Sequence, residues 1–255
     1  MSLTLAFLGD FGGAIDFIFQ QRDSVSGGVQ IGGLGEIGDF GAEHLKVSAV
    51  AMAGACAISI PIGLYLGHRG KGEFTAVTVS NVGRAVPAVV LLYFFIAYLG
   101  IGFTNVAAVL FLLAVPPILT NTYVGVRQID PQIVDAAHGI GMSDMQVVRR
   151  VRLPLAMPTI FAGIRTSAVS VVATATIAPL ANVQTLGEPI VTPQTYGFEG
   201  QLGAAIVVTV LTLFIDAGIG ALQRGVTPKG VKLAGESPEK RRWFSLPTRR
   251  REVAT

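Results

Sequence analysis

From Ala85 to Val126 the chain runs for 42 residues without a formal charge. A helix needs roughly 20 mostly apolar residues to cross the hydrocarbon core of a bilayer. The run therefore holds two crossings, and Gly100-Ile101-Gly102 supplies the turn between them. The pattern predicts spans over residues 79–99 and 104–124. Three further blocks have the same character: residues 45–66, with Lys46 at the edge where it can snorkel, 158–180, and 201–223, which only Asp216 interrupts. Charged residues make up 14% of the 255-residue chain and hydrophobic ones 51%. A soluble domain carries about 25% charged residues, so too few polar groups remain to coat a water-soluble globule. The expected fold is an all-α integral membrane protein with five transmembrane helices. Residues 3–20 are broken up by Asp10, Gly12, Gly13 and Asp16 and read as an interfacial helix. With no basic start and no cleavage signature, they do not read as a signal peptide.

Charge gives the direction. Residues 1–44 hold six acids and one base, a net −5, and the tail 224–255 holds nine bases and three acids, a net +6. The loop around His68-Arg69-Gly70-Lys71 is basic, and the Gly100 turn is neutral. Loop 127–157 carries Arg127, Arg149, Arg150 and Arg152 against three aspartates, and loop 181–200 has Glu188 and Glu199 without a base. Basic and acidic or neutral segments alternate, as the positive-inside rule requires. The N-terminus is expected outside and the C-terminus in the cytoplasm. Three regions result: an extracytoplasmic segment 1–44, a membrane domain 45–225 with its loop 127–157, and a solvated basic tail 226–255 that marks the cytoplasmic side and is placed to touch anionic lipid.

Several chemical motifs fail on inspection. Gly33-Leu34-Gly35-Glu36-Ile37-Gly38 matches the dinucleotide fingerprint by letters, but that fingerprint needs a strand before it and a helix after it. Its Gly-rich surroundings read as a flexible outer loop. Gly70-Lys71 is followed by Gly72, not Ser or Thr, so there is no Walker-type phosphate loop. Cys56 is the single cysteine, and His44, His68 and His138 form no ligand pattern. No metal, no cofactor, no nucleic-acid site and no catalytic set is expected in this chain; if ATP drives it, a partner subunit binds the ATP and magnesium.

The loop between the third and fourth spans carries the most information. Asp130-Pro131 is a helix start, with Asp as cap and Pro in the first helical position. Residues 132–138 are helix-compatible, and Gly139 and Gly141 end them. Ser143-Asp144-Met145-Gln146 is a capping box for a second helix. Along that helix Met145, Val148, Val151 and Leu155 fall near one face, and Pro154 and Pro158 break the pattern before the fourth span. The expected shape is a helix–turn–helix on the membrane surface, suited to docking on a partner, with an amphipathic connector as the alternative.

Asp135-Ala136-Ala137, Gly141 and Val151-Arg152-Leu153-Pro154 together resemble the EAA loop of ATP-binding-cassette (ABC) importer permeases. Every spacing fits; Asp135 replaces Glu and Val151 replaces Ile. Ile118-Leu119-Thr120-Asn121-Thr122-Tyr123, Gly139-Ile140-Gly141-Met142, Ala162-Gly163-Ile164-Arg165-Thr166-Ser167 and Thr227-Pro228-Lys229-Gly230 resemble the osmoprotectant branch, which serves glycine betaine, choline, carnitine and related quaternary amines. Asn81-Val82-Gly83-Arg84-Ala85-Val86-Pro87 also fits, although Arg84 stands where many relatives have Gln. Where the family often has a Gly-rich run, this chain has Ala181-Asn182-Val183-Gln184-Thr185-Leu186-Gly187.

The resemblance implies a type I importer permease with a MetI-like core, in the plasma membrane of a prokaryote. Asp135, Ala136, Ala137, Gly141, Val151, Leu153 and Pro154 would form the coupling site. Its implied partners are two ABC ATPase subunits, a second permease copy or a paralogous permease, a separate external solute-binding protein, and membrane lipid. The rival readings are a permease for another small solute such as an amino acid, and a non-transporting membrane scaffold or channel.

Polar groups inside spans are costly and face a bundle interior or a water-filled path. Asn81, Arg84, Asn121, Arg165 and Asp216 are the candidates. Asp216, the one acid inside an expected span, reads as an ion-pair partner within the bundle, with Arg165 as the candidate partner; attraction of a quaternary ammonium is the alternative. Tyr93, Phe94, Phe95 and Tyr98 read as lipid-facing and packing residues, with a cation–π wall as the alternative.

Overall fold

The computed structural model describes residues 2–70 and 86–227, with side chains from residue 9 onward. In chain order it forms α1 (Ser2–Phe19), the strands β1 (Gln21–Asp23) and β2 (Gln30–Gly32), α2 (Gly33–Arg69), α3 (Ala88–Leu99), α4 (Phe103–Arg127), α5 (Pro131–Gly139) and α6 (Asp144–Val147). A π-helical turn, Val148–Arg152, leads into α7 (Leu153–Thr174); a 3₁₀ segment, Ala175–Ala181, follows, then α8 (Glu188–Val191) and α9 (Pro193–Val226). Among the described residues four helical stretches are long and apolar enough to cross a membrane: Gly33–Arg69, Phe103–Arg127, Asp144–Ala181 and Pro193–Val226. Helix α3 has 12 residues, about 18 Å at 1.5 Å per residue. The rest of the span expected over residues 79–99 lies outside the described residues.

The centre of the bundle is α2 on α4. Along α2, Val47, Ala51, Ala55, Ser59, Gly63 and Gly67 are buried at every fourth position. Lipid tails are as apolar as leucine, so membrane helices associate through close packing of small residues rather than through exclusion of water. A Cβ at Gly63 would lie 2.7 Å from the Cβ of Thr122, and one at Gly67 would lie 2.8 Å from that of Val126. Helix α7 closes on the other side of α4, where Gly163 meets Asn121 and the carbonyl of Pro117. Pro116 and Pro117 interrupt α4's own ladder. Hydroxyls from both neighbours serve the carbonyls beside them: Ser167 donates to Ala114 at 2.8 Å and Ser59 to Val115 at 3.3 Å.

Three expectations need correction. Residues 33–38 are not a flexible loop. They are the first turns of α2, which begins twelve residues before the expected span. Here Glu36 accepts the N–H of Gly32 and the hydroxyl of Tyr196 at 2.8 Å. The strand before them belongs to a two-stranded antiparallel hairpin, with no open phosphate-binding turn between strand and helix. Pro154 and Pro158 do not stop the helix ahead of the fourth span either. Pro154 has no N–H to give, but the π turn before it widens the helix, and the N–H of Leu153 reaches back five residues to Val148. Finally, the last helix begins at Pro193 with a break at Gly197, where φ is 68°.

Helix α1 packs on α9. Ala14 and Phe17 are fully buried, and a Cβ at Gly203 would lie 2.8 Å from the Phe17 ring. Arg22 on β1 pairs with Glu199, donates to the carbonyl of Tyr196 at 3.1 Å and lies 5.3 Å from the Phe17 ring centroid. The N-terminal segment is thus clamped to the start of α9.

Candidate coupling site on the basic face

Helix α5 begins as its sequence dictates: Asp130 Oδ1 accepts the N–H of Gln132 at 2.9 Å, and Pro131 occupies the first turn. It ends in a Schellman motif. Met142 N–H donates to the carbonyl of Ala137 at 3.1 Å, and Gly141 N–H to that of His138 at 2.9 Å. Gly141 sits at the left-handed position with φ of 85°, and a Cβ there would meet nothing within 4 Å. Its glycine therefore serves backbone conformation, not space. The next helix starts with Gln146 Oε1 accepting the N–H of Ser143 at 2.9 Å.

The turn folds α5 back onto the helix that follows. Val134, Ala137 and Val147 form a small buried cluster, with Ile129, Met142 and Val151 packed against it. Leu153 belongs to a second cluster around Val126, Ala156 and Ile160, which ties the loop to the spans. Arg152 extends toward the carbonyl of Gly67 at the end of α2, 3.5 Å away. The spacing of the loop motif is thus a packing pattern: Ala137 and Val151, fourteen residues apart, share one cluster, and Pro154 opens α7 just beyond it.

Asp135 and Ala136 are exposed, whereas Ala137 is buried. Ala137 therefore packs inside the loop, against Val134 and Val147, and only Asp135 and Ala136 of this triplet face outward. The apolar face left open is Ile133, Ala136 and Ile140, with Ile140 77% exposed. Met145 is exposed too, and Val147, outside the expected face, is the residue that is fully buried.

Among the intramembrane candidates, Arg165 and Asp216 form a two-pronged ion pair between α7 and α9. Nε donates to Oδ1 at 2.8 Å and Nη2 to Oδ2 at 2.6 Å. Asn121 spends its amide on the carbonyl of Pro117 at 2.8 Å. Asn81 and Arg84 lie outside the described residues. Tyr93, Phe94 and Tyr98 are exposed on α3, and Phe95 packs against the core. Among the described residues no group of His, Cys, Asp and Glu could hold a metal ion.

Residues 59–228 match the model of the family described as "Binding-protein-dependent transport system inner membrane component". This chain belongs to that family. The permease is 36% identical to a choline transport system permease protein of Bacillus subtilis over 74% of this chain and 88% of that one. It is 35% identical to a carnitine transport permease protein of Listeria monocytogenes over 77% and 91% respectively. In solved structures, it matches a chain of the MetNI methionine ABC transporter with a TM-score of 0.66 at 20% identity, covering 76% of this chain and 98% of that one. That likeness establishes the expected importer fold. The permease is a multi-pass membrane protein of an ABC importer.

Sequence reading missed an acidic cleft at the start of α2, the end away from the loop that Arg152 ties to Gly67. Glu36, Asp39 and Glu43 on α2 line a cleft of about 790 Å³ with Phe40, Phe103 and Asn182. Lys46 lies 5.1 Å from the centroid of the Phe103 ring and 3.2 Å from Glu43. Burial, reinforced by Glu36, pushes the Glu188 carboxyl in the adjoining connection above its ordinary value. The spacing 36, 39, 43 is a one-sided helical signal, but it becomes visible only once those residues are known to be helical.

Proposed function

We propose that this permease carries a compatible solute of the quaternary-amine class, such as glycine betaine, choline or carnitine, into the cell. The observation that carries this reading is the 36% identity to a choline permease along most of both chains. A separate external protein delivers the solute, and two ATPase subunits dock on the open face of α5 of two permease copies, identical or paralogous. Closure of the ATPases on nucleotide moves α5, and the packed clusters at Val147 and Val126 pass that movement to the spans. This chain hydrolyses no ATP and needs no cofactor of its own. A panel of labelled glycine betaine, choline, carnitine and methionine tests the substrate class in cells that express the whole system. Accumulation of one or more of the first three, dependent on the ATPase, is expected. Accumulation of methionine alone would replace the reading with an amino-acid importer.

The same reading places the N-terminus outside and the C-terminus in the cytoplasm of a prokaryotic plasma membrane. A reporter fused after residue 255 should behave as cytoplasmic and one inserted near Thr192 as external. A cytoplasmic signal at Thr192 would overturn the orientation.

A further inference from the structure

The Arg165–Asp216 pair lies within the apolar stretches of α7 and α9, where a charged group is tolerated only beside protein or water. It does not face the interior of its own chain: the two side chains keep 40% and 31% of their surface. On its α7 side the flanking surface is small and partly polar: Ala162, Thr166 and Ser170 are exposed, and two of them carry hydroxyls. On α9 the exposed Phe214 lies two residues before Asp216. A groove opens on each side of the pair. One, of about 460 Å³, is lined by Thr166, Ser170 and Asp216; the other, of about 490 Å³, by Pro158, Gly220 and Gln223. Arg165 borders both. Either volume lies in the range that holds small ligands.

On the proposed substrate class, the geometry points to this pair as a charge-exchange station on the solute path. A zwitterion such as glycine betaine carries the same two charges as the pair itself. Its carboxylate takes the two-pronged donor set that Arg165 now offers Asp216, and its quaternary ammonium takes the carboxylate of Asp216. One ion pair is exchanged for two, and no charge is stranded in a low-dielectric site, which is the costly outcome when a single partner is removed. A plain cation such as choline occupies Asp216 but leaves Arg165 unpaired. The station therefore favours carboxylate-bearing quaternary amines. The competing role is a strut within the scaffold or between two permease copies.

Uptake by proteoliposomes holding the permease, its ATPase and its solute-binding protein separates the two roles. Arg165→Gln should lower the ratio of glycine betaine to choline uptake at least tenfold, and the ratio is unaffected by the amount of protein inserted. The double variant Arg165→Gln, Asp216→Asn replaces the ion pair by a neutral pair of similar shape. It should lose uptake of both solutes while keeping wild-type insertion and ATPase retention. Equal loss of both solutes in Arg165→Gln, wild-type uptake by the double variant, or loss of its insertion or ATPase retention would each overturn the station. A wild-type complex that imports none of glycine betaine, choline and carnitine refutes the substrate class itself, and the station with it.

Discussion

Valine in place of Gly141 should cut ATP-driven uptake at least tenfold while the chain still inserts in the membrane. Gly141 holds the left-handed position of the turn that closes α5, at φ of 85°. A residue with a Cβ pays about 1–2 kcal/mol to stay there, and a β-branched one is a genuine outlier in that region. The cheapest relief opens the turn, which lifts α5 off Val147 and moves the Ile133, Ala136 and Ile140 face. The spans are untouched. Because a Cβ at this position meets nothing within 4 Å in the chain, the cost is conformational, not a clash. Asparagine, which tolerates the left-handed region, should therefore retain most uptake, and aspartate should fall between asparagine and valine. Uptake and ATPase pull-down at matched membrane levels check the series. Equal uptake for valine and wild type would show that the turn carries no coupling.

The second large effect lies at Gly187, just before α8. Gly187 has an ordinary helical φ of −77°, so its backbone does not require glycine. Space does: a Cβ there would sit 1.9 Å from the carbonyl oxygen of Thr176. The neighbourhood is fixed by Thr185, which donates to the carbonyl of Ala175 at 3.0 Å. Gly187→Ala must push the connection away from the 3₁₀ segment that follows α7. Overpacking of this kind costs about 1–3 kcal/mol or more, and each kcal/mol lowers Tm by about 2–4 °C in a chain of this size. A loss of about 4–10 °C is expected in detergent. Gly35→Ala, within α2 and with nothing within 4 Å of its Cβ, serves as the control and should leave Tm unchanged or slightly raised. A Gly187→Ala protein as stable as that control would contradict the packing described here.

How much of this was legible depended on how local the determining physics is. The charge-free runs announce the bilayer because hydrocarbon imposes its own length. The Asp130 cap, the Gln146 arm of the capping box and the glycine at position 141 are readable because each acts within a few residues. The burial of Val147 was not readable: helical period marks faces, but only the fold-back of α5 decides which face is covered. The early start of α2 was hidden for a similar reason, since Glu36 is held by Tyr196, 160 residues away. Pro154 looked like a stop because the π turn that accommodates it leaves no mark in the residue pattern. Arg165 and Asp216 were each conspicuous in an apolar run, and α7 packed on α9 is what joins them.

The central claim is that α5 receives the ATPase, and cross-linking from its open face tests this most directly. A photo-reactive residue in place of Ile140, and another in place of the exposed Val29 between the two strands, would be activated in the assembled complex in membranes. The expected result is a cross-link from position 140 to the ATPase subunit and none from position 29. An Ile140 probe that never captures the ATPase, in a complex that imports solute normally, would contradict the claim.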